Sequence, residues 1–105
     1  MNIMYMTLGN KLYFYPTDSI RRTQNIARKF IKAILTRKKA SADTIKKCLH
    51  DAKSIAQIQN SLTRGTVETK ETPNGFKYHT IQSIDNNETI NFPHDDFVKD
   101  TILIL

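Results

Sequence analysis

The chain has one cysteine, no tryptophan, three glycines and three prolines in 105 residues. A single cysteine excludes an intramolecular disulfide, and three scattered histidines add no zinc-ligand spacing, so neither a metal nor a cofactor is expected. With so little glycine and proline there is no linker, and no repeat or low-complexity segment interrupts the chain. Residues 1–105 therefore read as one domain. Uncharged stretches are also short. Met1–Asn10 is ten residues long and none is longer, well under the roughly 20 apolar residues of a membrane-spanning helix. The same stretch lacks the basic start and small-residue cleavage site of a signal peptide, so a reducing cytoplasm is the expected compartment. No nucleophile–base, metal or phosphate-loop spacing is present, and the chain is not expected to be an enzyme.

Negative charge is scarce in the first part of the chain. Residues 1–64 carry thirteen Lys/Arg and three acids, whereas residues 65–105 carry three Lys and seven acids, which divides the overall +6 into +10 and −4. Between Asp18 and Asp43 stand eight cations and no anion: Arg21, Arg22, Arg28, Lys29, Lys32, Arg37, Lys38 and Lys39. Soluble surfaces ordinarily mix the two signs, so a run this one-sided points to a polyanionic partner. The simpler alternative is a solvated face balanced by the acidic C-terminal part.

Ile3–Leu8 and Lys11–Tyr15 are apolar and aromatic around Gly9-Asn10, which predicts a β-hairpin closed by Pro16. Thr17, Asp18 or Ser19 can cap a following helix that runs to about Lys39. Ile20, Ala27, Phe30, Ile31 and Ile34 form its apolar stripe, and Arg21, Arg28, Lys29, Lys32 and Lys39 fall on the opposite side. Ser41 opens a second helical segment that carries Ile45, Cys48, Leu49, Ala52, Ile55, Ala56 and Leu62 up to a stop at Gly65. Period-2 alternation then gives strands at Thr66–Glu71 and Phe76–Ile81 around Pro73-Asn74-Gly75. A short strand, Thr89–Phe92, follows, then a helical turn at Asp95–Lys99 and a last strand, Thr101–Leu105, expected inside the sheet. The expected class is α+β: an N-terminal hairpin, two helices and an antiparallel meander.

Propensity favours one continuous helix from Ala42 to Leu62. Divided instead into Ala42–Leu49, a turn at His50–Lys53 and Ser54–Thr63, the segment follows Phe30–Arg37 and precedes the Thr66–Ile81 strand–turn–strand. That order resembles a winged helix-turn-helix domain, which implies a recognition helix in the DNA major groove and a hairpin wing beside the backbone. The resemblance covers about half the chain. It departs from the pattern at His50, where the turn usually has glycine, at Gln59 or Asn60, where a core leucine is usual, and in a hairpin with little net positive charge. On such a helix Gln57, Gln59, Asn60 and Ser61 would be the base-facing residues, since amide side chains can read adenine.

Arg64, Lys70, Tyr78 and His79 are the residue types a phosphodiester-cleaving site uses. Helices followed by an antiparallel sheet carrying them look broadly like small toxin-type ribonucleases. Cys48 lies on an apolar stripe and reads as a small core residue. Tyr5, Tyr13, Phe14 and Tyr15 could stack bases but read more simply as cover for the helices. An exposed Ile102–Leu105 would offer an edge to a partner or a second copy, making a homodimer.

The favoured function is a small non-enzymatic regulator that binds nucleic acid, DNA above RNA, with no membrane association. Its expected contacts are Arg21, Arg22, Arg28, Lys29, Lys32, Arg37, Lys38, Lys39, Gln57, Asn60 and Arg64. The alternative is a protein-binding inhibitor or accessory protein of a phage- or plasmid-like element that acts on a nucleic-acid-handling partner, its basic helix occupying a nucleic-acid-binding or acidic surface there. A ribonuclease-type toxin is the second alternative.

Overall fold

In the computed structural model, which describes all 105 residues, Asn2–Leu8 (β1) and Lys11–Pro16 (β2) pair antiparallel around Gly9-Asn10. Gly9 has φ 62°, a left-handed conformation that glycine takes without steric cost and that lets the chain reverse within two residues. The remaining elements are α1 (Gln24–Arg37), α2 (Ala42–Leu49), α3 (Ala52–Ser61), β3 (Thr63–Glu71), β4 (Lys77–Ser83), β5 (Thr89–Pro93), α4 (His94–Asp100) and β6 (Thr101–Leu103). The protein is α+β, with four helices and one six-stranded mixed sheet in the order β5-β4-β3-β1-β2-β6. No helix is long and apolar enough to cross a membrane.

Contacts divide the chain into two compact units. One is the sheet with α4, formed by Met1–Asp18, Thr63–Leu103 and Leu105; the other is Ser19–Leu62 with Ile104.

In the sheet unit β1 lies between β2 and β3, and its alternating residues serve two faces. Ile3 and Tyr5 join Leu12, Phe14, Val67 and Ile81 in one buried cluster, against which Phe92 and Phe97 pack. Met4, Met6 and Tyr13 are buried on the other face. Tyr5 and Phe14 thus belong to the sheet's own cluster and are not simply cover for helices. Burial pushes the Tyr5 phenol above its ordinary value.

Gly65 does not stop a helix; it lies inside β3, opposite Ile3 and Ser83. A Cβ there would come within 2.5 Å of the Gln82 carbonyl oxygen and 3.0 Å of Tyr5 Cε1, so only glycine lets the neighbouring strand approach. The last strand also differs from expectation. β6 pairs parallel with β2 and forms an edge of the sheet, with Leu103 49% exposed. Parallel pairing needs a crossover, which the residues between β2 and β6 supply, so β6 does not continue the β3–β4–β5 meander.

In the helical unit α1 starts later than its pattern suggests. Thr23 is the N-cap, its hydroxyl accepting from the Ile26 amide at 3.2 Å, and this leaves Ile20, Arg21 and Arg22 ahead of the helix. Ile20 is 72% exposed and takes no part in the stripe, which Ile26, Ala27, Phe30, Ile31 and Ile34 form. Ala27, Ile31 and Ile55 make the unit's buried cluster, with Leu35, half-buried Cys48, Leu49 and Ile58 packed on it.

Residues 42–62 are not one helix. Asp51 leaves helical geometry (φ −89°, ψ 110°) and caps α3, its carboxylate accepting from the Ser54 amide at 3.1 Å and the Ser54 hydroxyl at 2.5 Å. An aspartate three residues before a serine competes with the backbone for these donors and so favours a helix start over a helix interior. Two helices result, joined at His50-Asp51.

Candidate nucleic-acid interface

The helical unit Ser19–Leu62 contains eleven Lys/Arg and two Asp, a net +9, while the rest of the chain nets −3. The +9 is more concentrated than the +10 of residues 1–64, because Lys11, Asp18 and Arg64 belong with the sheet. On α1, Lys29 and Lys32 stand on the exposed side, away from Phe30, Ile31 and Ile34. The helix ends at Arg37, two residues short of the expected Lys39, in a turn that exposes three consecutive cations, Arg37, Lys38 and Lys39. In that turn the Lys39 amide donates to the Thr36 carbonyl and the Ala40 amide to Leu35, both at 3.0 Å. Lys39 itself sits at φ 58°, the position usually filled by glycine in this capping arrangement.

On α2 the half-buried Ile45, Cys48 and Leu49 face inward, and Asp43, Lys46, Lys47 and His50 share the exposed face, where they line a shallow groove. Lys46 and Lys47 are not among the contacts expected from the sequence. Their spacing from Asp43 and His50, 43-46-47-50, is the signal that would have placed them on one outer face.

Three arginines expected at the interface have hydrogen-bonding partners within the fold. Arg28 is half-buried, its Nε donating to the Leu49 carbonyl at 3.1 Å and its Nη1 to Asn25 Oδ1 at 3.0 Å. Arg22 Nε donates to the Leu62 carbonyl at 2.6 Å, and Gln59 Nε2 returns a bond to the Arg22 carbonyl at 2.8 Å. Both arginines satisfy carbonyls at helix C-terminal ends, where the helix dipole favours a cation. Arg64, in the sheet unit, meets Asp85 through Nε at 2.9 Å, Nη2 at 2.7 Å and its own amide at 2.8 Å. Exposed Arg21 lies ahead of α1, with its amide accepted by Ser19 Oγ at 3.3 Å.

The outward face of α3 carries Lys53, Ala56, Gln57 and Asn60, all exposed. Ser61 is exposed, but its hydroxyl donates to the Gln57 carbonyl at 2.9 Å, and Gln59 is tied to Arg22; neither is an outward reader. No protein-family model, curated protein or solved structure matches this chain. The helix–turn–helix–strand–turn–strand order is present, with β3 longer than expected and shared with β1.

The residues suited to phosphodiester cleavage do not converge. Tyr78 pairs with Lys70 and Pro93 on one face of the sheet, while its neighbour His79 points to the other, beside Phe97. Arg64 is bound to Asp85. His79 is only 8% exposed, and both its ring nitrogens have partners: Thr69 Oγ1 at 3.1 Å from Nδ1 and His94 Nδ1 at 2.9 Å from Nε2. Burial, then the nearby His94 charge, holds its pKa below the ordinary imidazole value.

Proposed function

We propose that this chain is a non-enzymatic nucleic-acid-binding protein that grips duplex DNA through its helical unit. Lys32 of α1, the Arg37-Lys38-Lys39 turn and Lys46 and Lys47 of α2 contact phosphates, and α3 lays Ala56, Gln57 and Asn60 toward base edges. The observation that carries the reading is the +9 charge confined to 44 residues, with Lys32, Arg37, Lys38, Lys39, Lys46 and Lys47 exposed on α1, its C-terminal turn and α2. Cations with exposed heads release counterions from a polyanion, which gives affinity that falls steeply with salt. The short capped break between α2 and α3 supports duplex DNA over RNA, because a separate short helix with small and amide side chains suits the major groove. In this reading Arg22, Arg28 and Arg64 have structural roles.

Fluorescence anisotropy with a labelled 20-base-pair duplex, its single strand and an RNA hairpin, each over a salt series, tests the proposal. Duplex DNA is expected to bind most tightly, with RNA intact afterwards. Absence of binding to all three at low salt would exclude the reading and favour an acidic protein surface as the partner; RNA cleavage would restore the ribonuclease alternative.

A further inference from the structure

We propose that α4 is a proton-released latch on the sheet, closed while His79 and His94 share a hydrogen bond and opened when both rings are protonated. The latch lies in the sheet unit and is independent of the nucleic-acid reading. His79 Nε2 and His94 Nδ1 are 2.9 Å apart, and a bond between two ring nitrogens needs one donor and one acceptor. The neutral pair satisfies this with the proton on either nitrogen. A first proton is also accommodated. Held on either ring, it leaves one facing nitrogen a donor and the other an acceptor, while His79 Nδ1–H donates to Thr69 Oγ1, 3.1 Å away. A second proton makes both facing nitrogens donors and places two like charges on rings whose centroids are 5.1 Å apart. No tautomer then preserves the bond.

The gap fits a proton better than a metal. Two nitrogens on a tetrahedral ion with bonds of 2.0–2.1 Å would stand about 3.3 Å apart, and no third metal-ligating side chain completes a site.

The ends of α4 are held differently. Its N-cap, Pro93, makes no side-chain capping bond, so the N-terminal end rests on the histidine link and on Phe97, stacked over His79 with centroids 4.0 Å apart. At the other end Lys11 Nζ donates to the Lys99 carbonyl at 3.0 Å and lies 3.5 Å from Asp100. Loss of the link therefore frees the first turn and leaves the last turn tied, uncovering Phe14 and Phe92, which pack near Phe97. The other charged groups around the pair are Glu71 and Lys77, cross-strand partners on the same sheet face, and Asp95, Asp96, Lys99 and Asp100 of α4 with Lys11 of β2. β5 and β6, on which α4 also rests, contribute none. Burial and the facing His94 charge oppose the second proton, so closure persists through the first.

The test follows imidazole ¹⁵N shifts and amide protection of the full chain by NMR from pH 7.5 to 4.5, with exchange corrected for intrinsic rates. The first proton on the pair is expected to leave α4 unchanged. Protonation of both rings should then coincide with at least a tenfold loss of protection in α4, while β1 and β3 stay protected. In His94→Gln, whose amide hydrogen-bonds without titrating, α4 should lose less than twofold over the same range. Three results would overturn the latch: α4 protected with both rings charged, parallel loss in parent and variant, or equimolar Zn²⁺ shifting both rings at pH 7.5.

Discussion

Arg28 and Lys32 stand four residues apart on α1, yet only one of them points its charge into solvent. The Arg28 guanidinium is committed to Leu49 and Asn25, whereas Lys32 is exposed. Arg28→Ala should lower stability by about 1–2 kcal/mol, because it leaves a helix-end carbonyl without its charged donor. Lys32→Ala should change stability by less than about 0.5 kcal/mol and weaken DNA binding. Thermal melts and anisotropy on the two variants separate these roles, and equal effects in both assays would contradict the assignment. Lys39 carries an opposing pair of effects. At φ 58° its side chain is strained, so Lys39→Gly should stabilise the protein by about 1 kcal/mol while reducing DNA affinity. If the melting temperature falls instead, the left-handed turn is not a strained one. His79 makes stability depend on pH. Its folded pKa lies below 6.5, so the unfolded chain takes up the proton first as pH falls. The contribution is therefore complete above that ordinary value and declines as pH drops through 6.5 toward the lower folded pKa. Chemical denaturation should show lower stability at pH 5 than at pH 7.5, less markedly in His94→Gln.

The break between α2 and α3 marks how far the elements were legible in the sequence. The hairpin at Gly9-Asn10 and the β3–β4 hairpin follow directly from period-2 alternation around turn residues, and both were read. The boundaries of the helices were not. Thr23 captures the start of α1 because its hydroxyl reaches the Ile26 amide, a choice made over Thr17, Asp18 and Ser19. Asp51 likewise reads as an ordinary polar residue until its three-residue spacing to Ser54 is weighed. Hydrogen bonding to Ser54 holds its carboxylate below the ordinary range. The cap is therefore fully present above the ordinary value of about 3.8 and lost as pH falls through the lower folded one. Asp51→Ala should lower the melting temperature and raise amide exchange in the first turn of α3, at Lys53–Ile55. Unchanged exchange there would mean the break is set by packing alone. Of the proposed interface, the cationic character was legible from composition, but the hydrogen bonds of Arg22, Arg28 and Gln59 were not. Each binds a carbonyl between 21 and 40 residues away in sequence, a distance that no periodicity reports.

For the molecule as a whole, the uneven charge of the chain coincides with its division into units. The sheet unit nets −3 and the helical unit +9, so the positive charge belongs to one contiguous insertion between β2 and β3. The insertion turns Ile26, Phe30, Ile31, Ile34, Leu35, Leu49, Ile55 and Ile58 inward and leaves Lys32, Arg37, Lys38, Lys39, Lys46 and Lys47 exposed, the arrangement on which the proposed polyanion binding rests. The order α1-α2-α3-β3-β4 is present, while β1, β2, β5 and β6 join β3 and β4 in one six-stranded sheet. The most direct measurement of the central claim is the slope of log Kobs against log salt for duplex DNA, in the parent and in Lys32→Gln/Lys46→Gln/Lys47→Gln. With three phosphate contacts removed and the melting temperature unchanged, the slope should become shallower by about 2.7, near 0.9 for each contact. A folded variant with the parent's slope and affinity would contradict the claim that these faces of α1 and α2 hold the DNA.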